Sequence, residues 1–443
     1  MSGTLSGILL QLTMQLTIEK MIYGGDGLAR LPADLQGRGK AVFVPFVLPG
    51  EQIEATLRND KRGFAQGKME KLLAASGQRV EARCPYFQRC GGCQYQHTNY
   101  EHQLQIKAEI LKENLRRVGK IELAAELHIH PSPPWNYRNR TRLRVRTNPA
   151  FTLGYYKFAS HELLPVEECP ISSPAINRVI VKLWELGRAG RVPGEVEEIE
   201  LFADAEDAQL LAEVYCVGAD APRMGKFLAE LQSSIPEISG AVAFRAIKKA
   251  AFADEMKLLT SASSGSLTYR TAGNAFQVSA GAFFQVNRYL ADDLVRLVTD
   301  GRSGKLAIDL YAGVGLFSSH LARSFTQVIA VEASPISHAD LRYNSPLNVK
   351  AVRSTTEQYL TKAQSTRPDY VVVDPPRSGM GEKIVRQLAD LSAPQIAYVS
   401  CDPATLARDL SVLLASGYRI EQAHFVDLFP QTFHLESVFH LSR

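Results

Sequence analysis

The sequence predicts an α/β protein whose last part is an open, mostly parallel sheet, preceded by an OB-like β-barrel and a β-rich central region. Three observations predict this. From about residue 275, short apolar strands alternate with helical stretches, the pattern of βαβ units. Residues 14–75 are short alternating runs cut by Gly and Pro turns, with the length of an OB-like barrel. The stretch between them, about 135–265, reads as strands with short helices. A chain of 443 residues suits about three domains. The expected divisions are a disordered extension over 1–13, then 14–75, 76–265 and 266–443.

Composition narrows the class. Apolar residues make up 45% and charged residues 22%, as in ordinary globular proteins. No apolar run approaches the roughly 18 residues of a membrane helix. The apolar patch Gly7–Leu10 has no basic stretch before it, so no signal peptide is expected and the expected location is the cytoplasm. The net charge of +4 is unevenly spread, since residues 81–150 hold twelve Lys and Arg against six Glu and no Asp. A basic segment in a near-neutral chain points to a local polyanion contact.

The first domain begins near Leu16-Thr-Ile-Glu and continues through Tyr23-Gly-Gly-Asp-Gly-Leu-Ala-Arg. Ala41-Val-Phe-Val-Pro-Phe-Val, the turn Leu48-Pro-Gly-Glu51 and Ile53-Glu-Ala-Thr-Leu-Arg follow. Such a barrel is either a nucleic-acid platform or a plain β module. The basic segment behind it favours the platform. Asn99 to about Val118 has the apolar spacing of one amphipathic helix, expected to pack on the C-terminal domain. Pro170 to Leu186 is expected to be a further helix.

Six cysteines are too few for a disulfide framework in a chain this long. Cys84-x5-Cys90-x2-Cys93 lies in CPYFQRCGGC, where the two glycines allow Cys90 and Cys93 to face one centre. Cys169, before Pro170, is the candidate fourth ligand. Four thiolates suit zinc or an iron–sulfur cluster. Three close cysteines plus one distant one, followed by Pro, lean towards [4Fe–4S]. There is no Cys-x3-Cys-x2-Cys, so radical chemistry is not indicated. Cys216, in the apolar run Leu210–Val217, reads as a buried strand residue.

Arginine occupies 138, 140, 142, 144 and 146. On a strand all five share one face, about 6.6 Å apart. Two readings stand. The stripe tracks the phosphates of an extended strand of nucleic acid, or it pairs with the acidic run Glu195–Glu200 on a neighbouring strand.

In the last domain Leu306–Tyr311 is a strand that ends in Ala-Gly313-Val-Gly315, where glycines let a ligand approach a helix start. The third glycine of a dinucleotide fingerprint would fall on Ser318, which argues against NAD. The next strand ends in Glu332, seventeen residues after Gly315 and suited to ribose hydroxyls. Two more strands end at Asp374, in Asp-Pro-Pro-Arg-Ser-Gly379, and at Cys401, before Asp402-Pro403. Tyr311, Glu332, Asp374 and Cys401 thus stand at the carboxyl ends of strands, where open α/β sheets bind ligands. Cys401 is presented in a polar turn without a cysteine partner, as a nucleophile is. Glu436 starts the last strand and is a candidate general base.

Taken together, these motifs resemble the RNA uracil-C5 methyltransferase family, most closely its iron–sulfur 23S ribosomal RNA members. The resemblance runs from about Leu16 to the C-terminus through CPYFQRCGGCQYQH, DLYAGVG, DPPRSG, SCDPATLARDL and DLFPQTFHLESV. It implies an N-terminal TRAM domain, a central cluster-bearing domain and a Rossmann-like methyltransferase domain that uses S-adenosyl-L-methionine. It places the cluster on Cys84, Cys90, Cys93 and Cys169, the nucleophile on Cys401 and the base on Glu436. It places the adenosylmethionine site on Gln285, Tyr311, Glu332 and Asp374. The implied partner is RNA, ribosomal RNA first and transfer RNA as the alternative, with no membrane and a monomeric protein. A non-catalytic RNA-binding protein on this scaffold is the rival of another class, and the Cys401/Glu436 pair speaks against it. Two positions depart from the family pattern. Asp402 follows the cysteine where Asn is common, and is expected to raise the thiol pKa. Leu316 stands where many relatives carry a polar residue, and is expected to remove a cofactor contact.

Overall fold

The computed structural model describes residues 13–32, 39–59, 61–247 and 255–443. The chain divides into two compact units. The first holds the described residues up to Gln88, then Gly92–Ile110 and the returning segment Gln431–His434. The second holds Arg89–Gly91, Leu111–Pro430 and Leu435–Arg443. The expected disorder of 1–13 falls outside the described residues except for Thr13, which opens the first strand.

In the first unit, β1 (Thr13–Thr17), β2 (Lys20–Met21), β3 (Asp26–Arg30), β4 (Ala41–Pro45), β5 (Gln52–Arg58) and β6 (Phe64–Ala74) form one sheet in the order β1-β5-β6-β4-β3-β2. Alternation along β4 buries Val42 and Val44 with Leu16, Ala29, Ile53 and Ala65. Burying every second side chain in this way is what two-residue periodicity requires. The Leu48–Glu51 turn is closed by Glu51, whose carboxylate accepts the Leu48 N–H at 2.8 Å and is paired with Arg79 at 2.5 Å. Gly50 supplies the left-handed φ of 81°. Gln431 joins this unit through its carbonyl, which accepts the N–H groups of Gln94 and Tyr95, and through a reciprocal pair with Gln103 at 3.0 Å each way.

Helix α1 (Tyr100–Arg117) is the expected amphipathic helix. It leads to Gly119, which lies against the Ala407 carbonyl of the second unit so closely that a Cβ would stand 2.7 Å from it. Strand β7 (Leu127–His130) follows.

The β-rich part of the second unit is a seven-stranded sheet. Its strands are β8 (Arg140–Arg146), β9 (Thr152–Tyr156), β10 (Leu163–Pro165), β11 (Val196–Ala203), β12 (Leu210–Cys216), β13 (Ile238–Ile247) and β14 (Glu255–Ser263), in the order β10-β9-β8-β11-β12-β13-β14. Helices α2 (Pro174–Arg188) and α3 (Ala221–Ser234) pack on the face carrying Leu143, Ile199, Leu201, Ala212, Val214 and Cys216. Cys216 is buried there, as its apolar run predicts. The opposite face carries the arginine stripe. Helix α2 starts four residues later than expected, at Pro174, because Ser173 caps it by accepting from the Ile176 N–H.

The hairpin β15 (Ser266–Thr271) and β16 (Asn274–Ser279) and helix α4 (Ala291–Thr299) lead into an eight-stranded sheet. It contains β17 (Gly304–Leu310), β18 (Phe325–Glu332), β19 (Val349–Arg353), β20 (Tyr370–Val373), β21 (Gln395–Ser400), β22 (Arg419–Val426) and β23 (Glu436–Ser442). With β7 at one edge the order is β19-β18-β17-β20-β21-β23-β22-β7. β17 to β21 are parallel, and β23 is antiparallel to both β21 and β22. Helices α5 (Leu316–Leu321), α6 (Pro335–Asn344), α7 (Thr356–Lys362), α8 (Glu382–Asp390) and α9 (Pro403–Ala415) make the connections. Strand order reverses between β17 and β20, so the switch point of the sheet opens between their carboxyl ends. Leu316 points away from that opening into the core with Phe317 and Leu341. Among the described residues no helix is long and apolar enough to cross a membrane.

Candidate active site

Four successive parallel strands deliver side chains to one end of the sheet. After β17 the chain turns through Tyr311, Gly313 and Gly315, all at positive φ (64°, 55° and 97°). Gly315 is required twice over, since a Cβ there would also meet Leu341 at 2.9 Å. At Gly313 a Cβ would meet nothing within 4 Å, so the turn faces open space. Glu332, ending β18, fastens the turn by accepting the Gly313 N–H at 2.9 Å and the Ser334 N–H at 2.6 Å. Each of its oxygens keeps a further lone pair. The hydroxyl of Tyr311 bonds to the Thr356 side chain.

Asp309 lies directly beneath this turn. It is wholly buried and accepts the Ser318 hydroxyl on one oxygen. Its other oxygen has no partner among the described residues. Burial pushes its carboxyl up to about 7, with Asp374 and Glu332 pushing the same way and Ser318 opposing. Composition did not single out Asp309, although its place in the DLYAGVG strand end is a usable signal.

Asp374 follows β20, and burial raises it too to about 7. The backbone after it is clamped by α9. Thr405 donates to the Arg377 carbonyl, Arg408 to the Ser378 carbonyl, and the Met380 N–H donates to the buried Asp409 at 2.7 Å. Tyr398 of β21 donates to the same Asp409 oxygen at 2.7 Å.

β21 and β23 pair with Ser400 opposite Ser437. Cys401 follows Ser400 and Glu436 precedes Ser437, so both stand where this ladder ends. Burial pushes the Cys401 thiol up to about 12, with Glu436 and Asp374 adding, Arg377 opposing and Asp402 adding least. Glu436 is itself held well above the carboxylate range by burial and by Asp374, against Arg377. Its Oε1 has no hydrogen-bond partner among the described residues. Asp402 has a different main task from the one expected. It caps α9, accepting the Ala404 and Thr405 N–H groups at 3.0 and 2.9 Å. The structure thus brings Cys401, Glu436, Asp374 and Arg377 within electrostatic reach of one another. Gln285 is positioned through its main chain, its carbonyl accepting from Asn139 at 3.1 Å.

The arginine stripe is largely self-paired. Arg144 meets Glu198 at 2.6 Å, Arg142 meets Glu200 at 2.5 Å, and Arg140 is held by Glu200 and, at 2.8 Å, by the buried Glu213. The second of the two readings therefore holds for these three. Arg138 and Arg146 have no carboxylate partner among the described residues. Arg140 also donates to the Ala282 carbonyl at 2.6 Å, and so anchors the loop that leads to Gln285.

Cys84, Cys90 and Cys169 bond through their backbone. Cys84 donates its N–H to Gln96 in the first unit. In the second, Cys90 pairs with Lys157 and Cys169 with Asn177. Cys169 and Cys90 both push up the ionisation of the buried Tyr155 hydroxyl, so both lie near it. Among the described residues, no group of three or more His, Cys, Asp or Glu side chains is gathered to hold a metal ion. The cluster expected from cysteine spacing therefore has no assembled ligand set among the described residues.

Residues 99–443 match the family model of tRNA (Uracil-5-)-methyltransferase. The chain belongs to this family. An uncharacterized RNA methyltransferase of Aquifex aeolicus is 33% identical over 438 residues, covering 96% of this chain and 97% of its own. One of Halalkalibacterium halodurans is 32% identical, covering 96% of each. Among solved structures, the Pyrococcus abyssi tRNA (uracil-54, C5)-methyltransferase in complex with S-adenosyl-L-homocysteine superposes with a TM-score of 0.75 at 23% identity, covering 97% of this chain and 100% of that one. That likeness shows the shared fold. The family is one of RNA methyltransferases, so the chain is an enzyme of that kind.

Proposed function

We propose that this family member methylates C5 of a uridine in 23S ribosomal RNA through a covalent bond between Cys401 and C6 of the base. The observation that carries the reading is that Cys401 and Glu436 stand where the β21–β23 ladder ends, with Glu436, Asp374 and Arg377 all within electrostatic reach of Cys401. S-adenosyl-L-methionine, when bound, supplies a methyl group on a sulfonium. Its proposed holders are Gln285, Tyr311, Glu332 and Asp374. The residues suit it, since Glu332 has spare lone pairs and Gly313 faces open space.

C5 of uracil is too weak a nucleophile to take a methyl group unaided. The Cys401 thiolate adds to C6, and the C5=C6 π electrons move towards the O4 carbonyl. C5, now electron-rich, would take the methyl group, the carbon–sulfonium bond of the bound donor breaking to leave a neutral thioether. Glu436 takes the proton from C5, the double bond re-forms, and the C6–Sγ bond breaks to release the thiolate. A thiol that ionises near 12 is a good leaving group only when its thiolate is stabilised. The Arg377 guanidinium opposes this rise and serves that purpose. The base must leave its stack to reach Cys401.

What supports the ribosomal target is the resemblance of the cysteine-bearing segment. What favours transfer RNA as a second reading is the family's own description and the named substrate of the P. abyssi enzyme. We further read 14–75 as a TRAM domain, supported by its six-stranded sheet, with 76–265 as the central and 266–443 as the methyltransferase domain. A [4Fe–4S] cluster on Cys84, Cys90, Cys93 and Cys169 rests on their spacing and on the common approach of Cys90 and Cys169 to Tyr155. No catalytic step passes through it. Nucleoside mass spectrometry of ribosomal and transfer RNA, from cells with and without the gene, tests the function. Loss of 5-methyluridine from one pool names the substrate, and unchanged levels in both overturn the reading. Iron and sulfide analysis of protein purified without oxygen tests the cluster.

A further inference from the structure

Glu436 stands on the last rung of the β22–β23 ladder, paired with Val426. Its Oε1 has no hydrogen-bond partner among the described residues, so the placement of the carboxylate depends on the backbone that carries it. The connection beyond this rung, residues 427–435, is the kind of segment that is ordinarily mobile. Here its first half is fastened. The Asp427 N–H donates to the His130 carbonyl at 3.0 Å. The Leu428 carbonyl accepts from the Asn287 side-chain amide at 3.1 Å, and the Pro430 carbonyl accepts from the Tyr137 hydroxyl at 3.0 Å.

Tyr137 and Asn287 are both fully buried. Removing a buried donor leaves its acceptor without that bond, which makes such pairs firm anchors. Asn287 uses its whole amide. Its Nδ2 also donates to the Ser132 hydroxyl at 2.9 Å, and its Oδ1 accepts the Tyr289 and Leu290 N–H groups at 3.0 and 3.2 Å. The Tyr137 carbonyl accepts the Arg288 N–H at 2.9 Å. Two residues on, Asn139 donates its side-chain amide to the Gln285 carbonyl at 3.1 Å and its N–H to the Val286 carbonyl at 2.9 Å. The segments around Tyr137 and Asn287 therefore hold both the turn that leads to Glu436 and the stretch that carries Gln285. In the proposed reaction the methyl group and the base must reach one atom, C5, in turn. Such groups gain from a common frame, because a misplacement of about 1 Å can cost roughly a hundredfold in rate.

We propose that Tyr137 is a positioning residue for Glu436: its hydroxyl fixes the turn at Pro430 and so keeps the carboxylate within reach of Cys401. Asn287 shares the task at Leu428. The role given to Glu436 rests on the proposed function. The test uses the full-length protein. Tyr137→Phe deletes the hydroxyl alone. Tyr418→Phe deletes another buried hydroxyl, one that donates to the Ala393 carbonyl at 2.9 Å, and is the control for a bond that is only structural. Alkylation of Cys401 by iodoacetamide across pH, followed by peptide mass spectrometry, reads whether Glu436 still acts on the thiol. Tyr137→Phe is expected to move the Cys401 curve part of the way towards that of Glu436→Gln, and Tyr418→Phe to leave it as in wild type. In methyl transfer to RNA from cells lacking the gene, Tyr137→Phe is expected to lose roughly tenfold in kcat. Its KM for RNA should stay as in wild type, and the protein–RNA adduct should accumulate. A Cys401 curve and a kcat equal to those of Tyr418→Phe would overturn the proposal. If wild type methylates RNA in that case, the positioning falls and the function stands. If wild type makes no 5-methyluridine while the Cys401 curve still moves in Tyr137→Phe, the function falls and the positioning stands.

Discussion

Glu436 acts on Cys401 from the neighbouring strand: the two flank Ser437 and Ser400, the last paired residues of the β21–β23 ladder. A carboxylate so placed, in a site largely out of water, discourages ionisation of the thiol. Removing the charge of Glu436 should therefore make Cys401 easier to ionise. Glu436→Gln is expected to react with iodoacetamide faster than wild type at pH 8 to 9, and its rate–pH curve should lie at lower pH. An unshifted curve would show that the two groups do not interact.

The same variant bears on turnover. Without a base to take the C5 proton, the C6–Sγ bond should persist. Glu436→Gln incubated with RNA and methyl donor is expected to give a protein–RNA band that survives denaturing electrophoresis. Cys401→Ala should give neither band nor product while keeping its affinity for RNA. Rapid release of methylated RNA by Glu436→Gln would exclude it as the base.

Asp402 is primarily a helix cap. Asp402→Asn keeps an acceptor for the Ala404 and Thr405 N–H groups and should leave the denaturation midpoint nearly unchanged. Asp402→Ala removes the cap and should cost about 1 kcal/mol. Urea titration of the two variants separates these outcomes. The thiol curve should barely move in either, since Asp402 adds least to the rise at Cys401.

Arg140 pairs with the fully buried Glu213, whereas Arg144 is 37% exposed. Arg140→Met strips the buried Glu213 of its arginine, while Glu200 keeps Arg142, and is expected to cost about 3 kcal/mol or more. Arg144→Met should cost less than about 1 kcal/mol. If the variants are equally stable by urea titration, the buried pairing does not hold the sheet.

Asp309 ionises near 7 when folded, against 3.8 as an ordinary Asp. Its folded state favours the neutral form, so its contribution to stability is complete below about 3.8 and is lost as pH rises through about 7. Wild type should lose stability across this window. Asp309→Asn should show a shallower decline, with a remainder from Asp374, which ionises in the same range. Denaturant midpoints measured from pH 4 to 8 report this, and parallel curves would contradict the assignment.

Much of the site is legible in the linear chain. Strands ending in Tyr311, Glu332, Asp374 and Cys401 follow from apolar runs that stop at turn residues, because hydrophobic periodicity and turn chemistry are local. Asp402-Pro403 is also a readable helix start, although its position beside the cysteine suggested an electrostatic role first. The arginine stripe is legible as one face of a strand. Its division into paired and unpaired members is not, because that depends on which strands lie beside β8. Glu198 and Glu200 come from the neighbouring β11, and Glu213 comes from β12 beyond it.

By itself, the sequence determined that strands alternate with helices in the last domain and at which strand ends the candidate side chains appear. Tertiary structure decided which of them meet. Cys401 and Glu436 are 35 residues apart in the chain and become neighbours only through an antiparallel register. Asp309, Asp374 and Glu436 depart from ordinary carboxylates only once packing removes water from around them. Local sequence carries periodicity and turns, whereas pairing and desolvation are set by residues distant in the chain.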